Sequence, residues 1–138
     1  MILFKKIECN EINHVIKLLK QPMLKNPEGK YSDKDWINKL ISKGYSIGGY
    51  INDEIISCVI GECLTDNGIL LWFCAVNPKY QSMGYGEKSL RYFENFVLRK
   101  NKTWIFLNAT KNSIPFYQKN KYKGSVDSPV VEYLKYLK

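Results

Sequence analysis

Residues 69–76 of this 138-residue chain form an unbroken apolar run, followed by an amphipathic helical pattern and then a second apolar run. A strand with one wet face alternates polar and apolar residues, so a run of this kind reads as an interior strand covered on both faces. Over residues 84–100, Leu90, Phe93 and Val97 recur at helical spacing and mark one buried face. Residues 103–107 read as another strand. A strand, a helix and a second strand in this order make a crossover, so the two strands are expected to lie parallel in one sheet.

The flanking segments fit around that unit. Residues 2–7 read as a short strand, and Ile12, Val15, Ile16 and Leu19 follow the spacing of a one-sided helix that stops near Pro22. Residues 22–30, with Pro27 and Gly29, read as a loop. Ser32 with Asp35 three residues on resembles a helix N-cap, and Trp36, Ile37, Leu40 and Ile41 give the buried face of a second helix that Gly44 ends. Residues 45–51 and 54–64 are joined by Asn52-Asp53, a hairpin-forming pair, and Asp66-Asn67-Gly68 is a second turn. Residues 113–120 read as a short helix, residues 122–126 as an extra strand and residues 130–137 as a final strand. The expected fold class is mixed α/β (α+β): one central, twisted, mixed sheet with helices on both faces, organised as a single domain over residues 1–138.

Composition narrows the function classes. The chain is 45% hydrophobic and 14% aromatic, enough for a core that needs no disulfide or metal staple. Cys9, Cys58, Cys63 and Cys74 show no CxxC spacing, and the single histidine, His14, sits on a helix flank. A metal site is therefore not expected, and free thiols suit a reducing compartment. No signal peptide or spanning segment is visible, so a soluble, cytoplasmic protein with no membrane partner is expected. The net charge of +8 favours a polyanionic partner, which nucleic acid and a phosphorylated cofactor both satisfy. Most aromatics fall at apolar periodic positions rather than alternating with Lys and Arg on an exposed face, which argues against nucleic acid.

Chemistry concentrates in Val76-Asn77-Pro78-Lys79-Tyr80-Gln81-Ser82-Met83-Gly84-Tyr85-Gly86, between the buried strand and the amphipathic helix. Two glycines let the backbone approach a bulky group, and a helix start offers unpaired N–H groups with partial positive charge. A P-loop would need Gly-Lys-Ser/Thr, whereas Glu87-Lys88-Ser89 follows Gly86, and a dinucleotide fingerprint would need glycine where Ser89 stands.

The pattern Val-x-Pro-x-Tyr-Gln-x-x-Gly-x-Gly resembles the pyrophosphate-binding motif of the GNAT N-acetyltransferase family, matched at Gln81, Gly84 and Gly86 with Pro78 in place. Ile114-Pro115-Phe116-Tyr117-Gln118-Lys119, after Asn108-Ala109-Thr110, resembles that family's "PFYEK-x-GF" helix. The family's Gly-Phe is Lys121-Tyr122 here, with Asn120 the residue expected to adopt the left-handed cap conformation.

The resemblance implies acyl transfer from acetyl-CoA to a primary amine of a small molecule, peptide or protein, with no metal. The coenzyme is expected where strands 69–76 and 103–108 part. The backbone of Cys74, Ala75 and Val76 would pair with the pantetheine arm. The backbone of Gln81, Ser82, Met83, Gly84, Tyr85 and Gly86 would hold the pyrophosphate. Asn108 and Phe116 would line the thiol end, Asn112 stands near the helix start, and Lys119 is among the lysines (with Lys111, Lys121 and Lys123) that could meet phosphate. Tyr117 matches the tyrosine that protonates the leaving thiolate. Glu62 shares strand parity with Ile56, Cys58 and Ile60, so a carboxylate on an apolar face is expected there as the base. A non-catalytic acyl-CoA sensor is the alternative, and the final strand leaves monomer and homodimer open.

Overall fold

The computed structural model describes residues 1–110, 112–124 and 130–137. Among these, one seven-stranded mixed sheet is built from β1 (Leu3–Lys6), β2 (Ser46–Ile51), β3 (Glu54–Cys63), β4 (Gly68–Val76), β5 (Trp104–Thr110), β6 (Lys123–Gly124) and β7 (Val130–Tyr136). Its strand order is β1-β2-β3-β4-β5-β7-β6. The β4–β5 pair is parallel and joined through α3 (Tyr85–Arg99), as the apolar–amphipathic–apolar succession predicts; the other pairs are antiparallel.

Helices cover both faces. Alternation along β3 sends Cys58 and Ile60 into a core with α1 (Ile12–Leu19) and α2 (Lys34–Ser42), where Val15, Leu19, Ile37 and Leu40 are buried. Val59 faces the other way, into a core with Leu90, Phe93 and Val97 of α3. On that same side Ser57 meets Ser89 at 2.8 Å, so the one polar pair in this stretch satisfies itself. Gly61 is required by proximity: a β-carbon there would stand 2.7 Å from the Tyr45 carbonyl and 2.8 Å from Phe93 Cζ. No described helix is long and apolar enough to cross a membrane.

Three sequence expectations are corrected. Asp33, not Ser32, caps α2, its carboxylate accepting from the Trp36 N–H at 3.1 Å. At the end of α4 (Ile114–Lys119), Asn120 stays near the right-handed region and Lys121 takes φ +75. The second half of β4 is not covered on both faces, since Trp72 is 38% exposed and Phe73 and Cys74 are half-buried. Lys111 and residues 125–126 lie outside the described residues.

Candidate functional site

The parallel pairing of β4 with β5 runs from Gly68↔Trp104 to Leu71↔Leu107 and ends there. Beyond it β4 continues along β3 to Val76, while β5 continues along β7 to Thr110, so the two strands separate. A bulge accompanies the separation: Ile60 pairs with Phe73 and Gly61 with Leu71, leaving Trp72 as the extra residue. Bulges bend a strand and increase its twist, which carries β4 away from β5. The gap is a cavity of about 940 Å³.

One end of the cavity is an anion cradle. Gly84 caps α3 at φ +82, Ser82 stands at φ +64, and the first backbone bond of the helix runs from the Lys88 N–H to the Gly84 carbonyl. Among the described residues no backbone carbonyl accepts from the amides of residues 82–87. These amides, with the helix dipole behind them, suit a di-anionic group. Apart from its chain neighbours, no protein atom lies within 4 Å of where a Gly84 β-carbon would stand, and Gly84 lines the cavity. The residues therefore fit a pyrophosphate.

Gln81 serves this loop from behind. Its side-chain amide donates to the Val76 carbonyl and to Gln21 Oε1, both at 3.0 Å. Gln21, buried at the end of α1, donates to the same Val76 carbonyl at 2.9 Å and to the Leu18 carbonyl at 2.9 Å. The Val76 carbonyl thus has both lone pairs occupied by protein donors.

Tyr117 stands on the cavity wall, 7% exposed, with Phe116 against it edge-on at 5.1 Å and Cys74 nearby. Burial lifts its hydroxyl well above the ordinary tyrosine range, and the neighbouring Cys74 adds to that lift. Burial likewise pushes the Cys74 thiol up, to about 12. Among the described residues no protein group bonds the Tyr117 hydroxyl, which leaves it available to a ligand. Asn108, Asn112 and Phe116 line the same cavity, and Lys119 does so while its Nζ lies 3.8 Å from Glu87.

Of the sequence-predicted residues, Cys74, Ala75, Val76, Gln81, Ser82, Gly84, Tyr85, Gly86, Asn108, Asn112, Phe116, Tyr117 and Lys119 come together around this one cavity. Met83 lies beside it, 60% exposed. Glu62 does not line it. The carboxylate stands behind Trp72, accepting from Trp72 Nε1 at 3.0 Å and lying 3.6 Å from Lys43 Nζ. The apolar parity that pointed to Glu62 runs out at the bulge, where polar neighbours replace the core. Sequence reasoning also missed Trp36, Trp72, Phe73 and Tyr31, which line the cavity. An exposed bulge and a core strand carry the same apolar residues, so their signal was indistinguishable from packing.

The family model described as acetyltransferase (GNAT) family matches residues 12–122, and the chain belongs to that family. Its fold is similar to that of Ard1 from Thermoplasma volcanium (TM-score 0.84, 14% identity, covering 98% of this chain and 97% of that one). It is similar to the PaiA N-acetyltransferase from Thermoplasma acidophilum in complex with coenzyme A (TM-score 0.82, 16% identity, 99% of each chain). It is also similar to yncA, a putative acetyltransferase from Salmonella typhimurium with its cofactor acetyl-CoA (TM-score 0.79, 10% identity, 100% and 95%). No curated protein matches the chain.

Proposed function

We propose that residues 1–138 form one catalytic domain that moves an acetyl group from acetyl-CoA to the nitrogen of a primary amine. The carrying observation is that one cavity, lined by Tyr117, also holds the amide cradle of residues 82–87, and among the described residues no protein group bonds the Tyr117 hydroxyl. A binding module needs the cradle but has no use for a proton donor held at the far end.

Acetyl-CoA supplies the activated acyl group as a thioester. The amides of residues 82–87 hold its pyrophosphate, and the β4 backbone around Cys74 orients the arm towards Tyr117. The amine nitrogen attacks the thioester carbonyl carbon, the carbon–sulfur bond breaks, Tyr117 Oη gives its proton to the departing sulfur, and the proton the nitrogen loses as the amide forms restores the Tyr117 hydroxyl through water. A donor must carry its proton when the sulfur leaves, as a tyrosine hydroxyl does at neutral pH. The amine must first be neutral, and Glu62, one hydrogen bond behind the cavity wall at Trp72, takes its proton through water.

Incubation with acetyl-CoA and a panel of amines tests the reading. Free thiol and N-acetylated amine should appear in equal amounts. Thiol release with no acetylated product, or neither, contradicts it.

A further inference from the structure

Beyond the residues assigned to the coenzyme, the cavity has a second end whose chemistry is different. From Trp72 to Val76 β4 covers about 13 Å at about 3.3 Å per residue, which separates this end from the anion cradle. The bulge sets Trp72 and Phe73 side by side against α2, where Trp36 meets Trp72 edge-on at 4.8 Å and Phe73 at 6.2 Å. Met23, Leu24 and Tyr31 continue the apolar wall. Trp72 is 38% exposed, Tyr31 38% and Met23 63%, so these large side chains face the cavity rather than a core. The Trp72 indole is held in place by its bond to Glu62, which Lys43 holds in turn. A wall fixed before binding loses little freedom when it is covered.

An aromatic wall also attracts cations, and the charges decide between the two occupants. Lys25 and Lys30 stand at this end, and Lys25 Nζ already lies 5.2 Å over the Tyr31 ring. Among the described lining residues at this end the one carboxylate is Asp33, which accepts from the Trp36 N–H and keeps its charge, set against the two lysines. A second ammonium group would therefore meet a net positive charge at this end.

We infer that this end receives the acceptor, and that the acceptor is an amine carried on an aromatic or broad apolar group with no second cationic centre. The inference rests on the acyl-transfer reading. The same chemistry could come from a small arylalkylamine or from a peptide with an apolar N-terminal residue.

Initial rates with acetyl-CoA should be compared for 2-phenylethylamine, a tripeptide beginning with phenylalanine, and spermidine. One of the first two should exceed spermidine about tenfold or more in kcat/KM, and which one identifies the source. Trp72→Ala should raise KM for that amine about tenfold, with a smaller change in kcat. Lys25→Glu, on an exposed loop, should narrow the gap to spermidine. A preference for spermidine, an unchanged KM in Trp72→Ala, or a gap that Lys25→Glu leaves intact overturns the inference. If no amine is acetylated, the acyl-transfer reading has failed, and tryptophan fluorescence still decides the subsite. Saturable quenching by 2-phenylethylamine that Trp72→Ala abolishes supports it; its absence in the parent chain refutes it.

Discussion

The Tyr122 N–H donates to the Tyr117 carbonyl at 3.0 Å, and the two rings meet edge-on with centroids 5.6 Å apart. With Lys121 at φ +75 and its N–H on the Gln118 carbonyl at 3.1 Å, this is a Schellman ending with its accompanying apolar contact. Tyr122 is anchored in turn, its hydroxyl donating to Glu94 at 2.8 Å, and Glu94 accepts from Lys135 at 3.0 Å. The orientation of Tyr117 is therefore set by a chain of contacts reaching α3 and β7.

Tyr117→Phe keeps both edge-on contacts and removes only the hydroxyl. Turnover should fall about a hundredfold while the dissociation constant for acetyl-CoA stays nearly unchanged. Steady-state kinetics with a binding titration checks this, and unimpaired turnover removes Tyr117 from the mechanism. Glu62→Gln retains an oxygen to accept from Trp72; if Glu62 takes the amine proton, the acidic limb of the pH–rate profile shifts or disappears.

Lys121 holds a left-handed conformation that costs a side-chain-bearing residue about 1–2 kcal/mol. Lys121→Gly relieves it, less the greater chain freedom glycine brings to the unfolded state. A net gain of about 0.5 kcal/mol is expected in denaturant unfolding, with unchanged activity.

Alkaline pH should destabilise the fold from about pH 9 upward. Cys74 has its folded-state pKa raised to about 12 from 9.0, and burial raises Cys58, Tyr117 and Tyr122 in the same direction. A raised pKa gives stability that is fully present below the unfolded value and is lost as pH climbs towards the folded one. Unfolding midpoints from pH 7 to 11 check the sign. At pH 8, iodoacetamide should label exposed Cys9 and Cys63 and spare buried Cys58 until the chain unfolds.

Gln21→Ala removes one of the two acceptors of the Gln81 amide and one of the two donors to the Val76 carbonyl. The cradle should loosen, with KM for acetyl-CoA rising several-fold and stability falling by about 1–2 kcal/mol. Kinetics over a range of acetyl-CoA concentrations separates this from a general loss of activity, which would lower kcat alone.

Periodicity placed the elements correctly because the sheet's interior strands and helix faces are long and unambiguous. Residues 69–76 and 103–107 with the helix between them carry the crossover, and the crossover carries the cavity. Gly84 and Gly86 were readable because a cradle demands backbone without β-carbons. The bulge at Trp72 was not readable. It depends on register between β3 and β4, which apolar residues on both strands leave unmarked. The Gln21–Gln81–Val76 linkage, spanning residues far apart in sequence, and the paired state of Glu62 were hidden for the same reason. Lys121 defied expectation because the motif's hydrogen bonds and the Tyr117–Tyr122 contact override its preference.

Thermal unfolding of the chain and of Gly84→Val, with and without acetyl-CoA, tests the central claim most directly. At a hundredfold excess over Kd a ligand adds about 2.7 kcal/mol, a rise on the order of 5–10 °C for a domain of this size. That rise is expected in the parent chain and its loss in Gly84→Val, which puts a branched side chain at a left-handed position on the cavity lining. An equal rise in both, or none in the parent, would contradict the cradle.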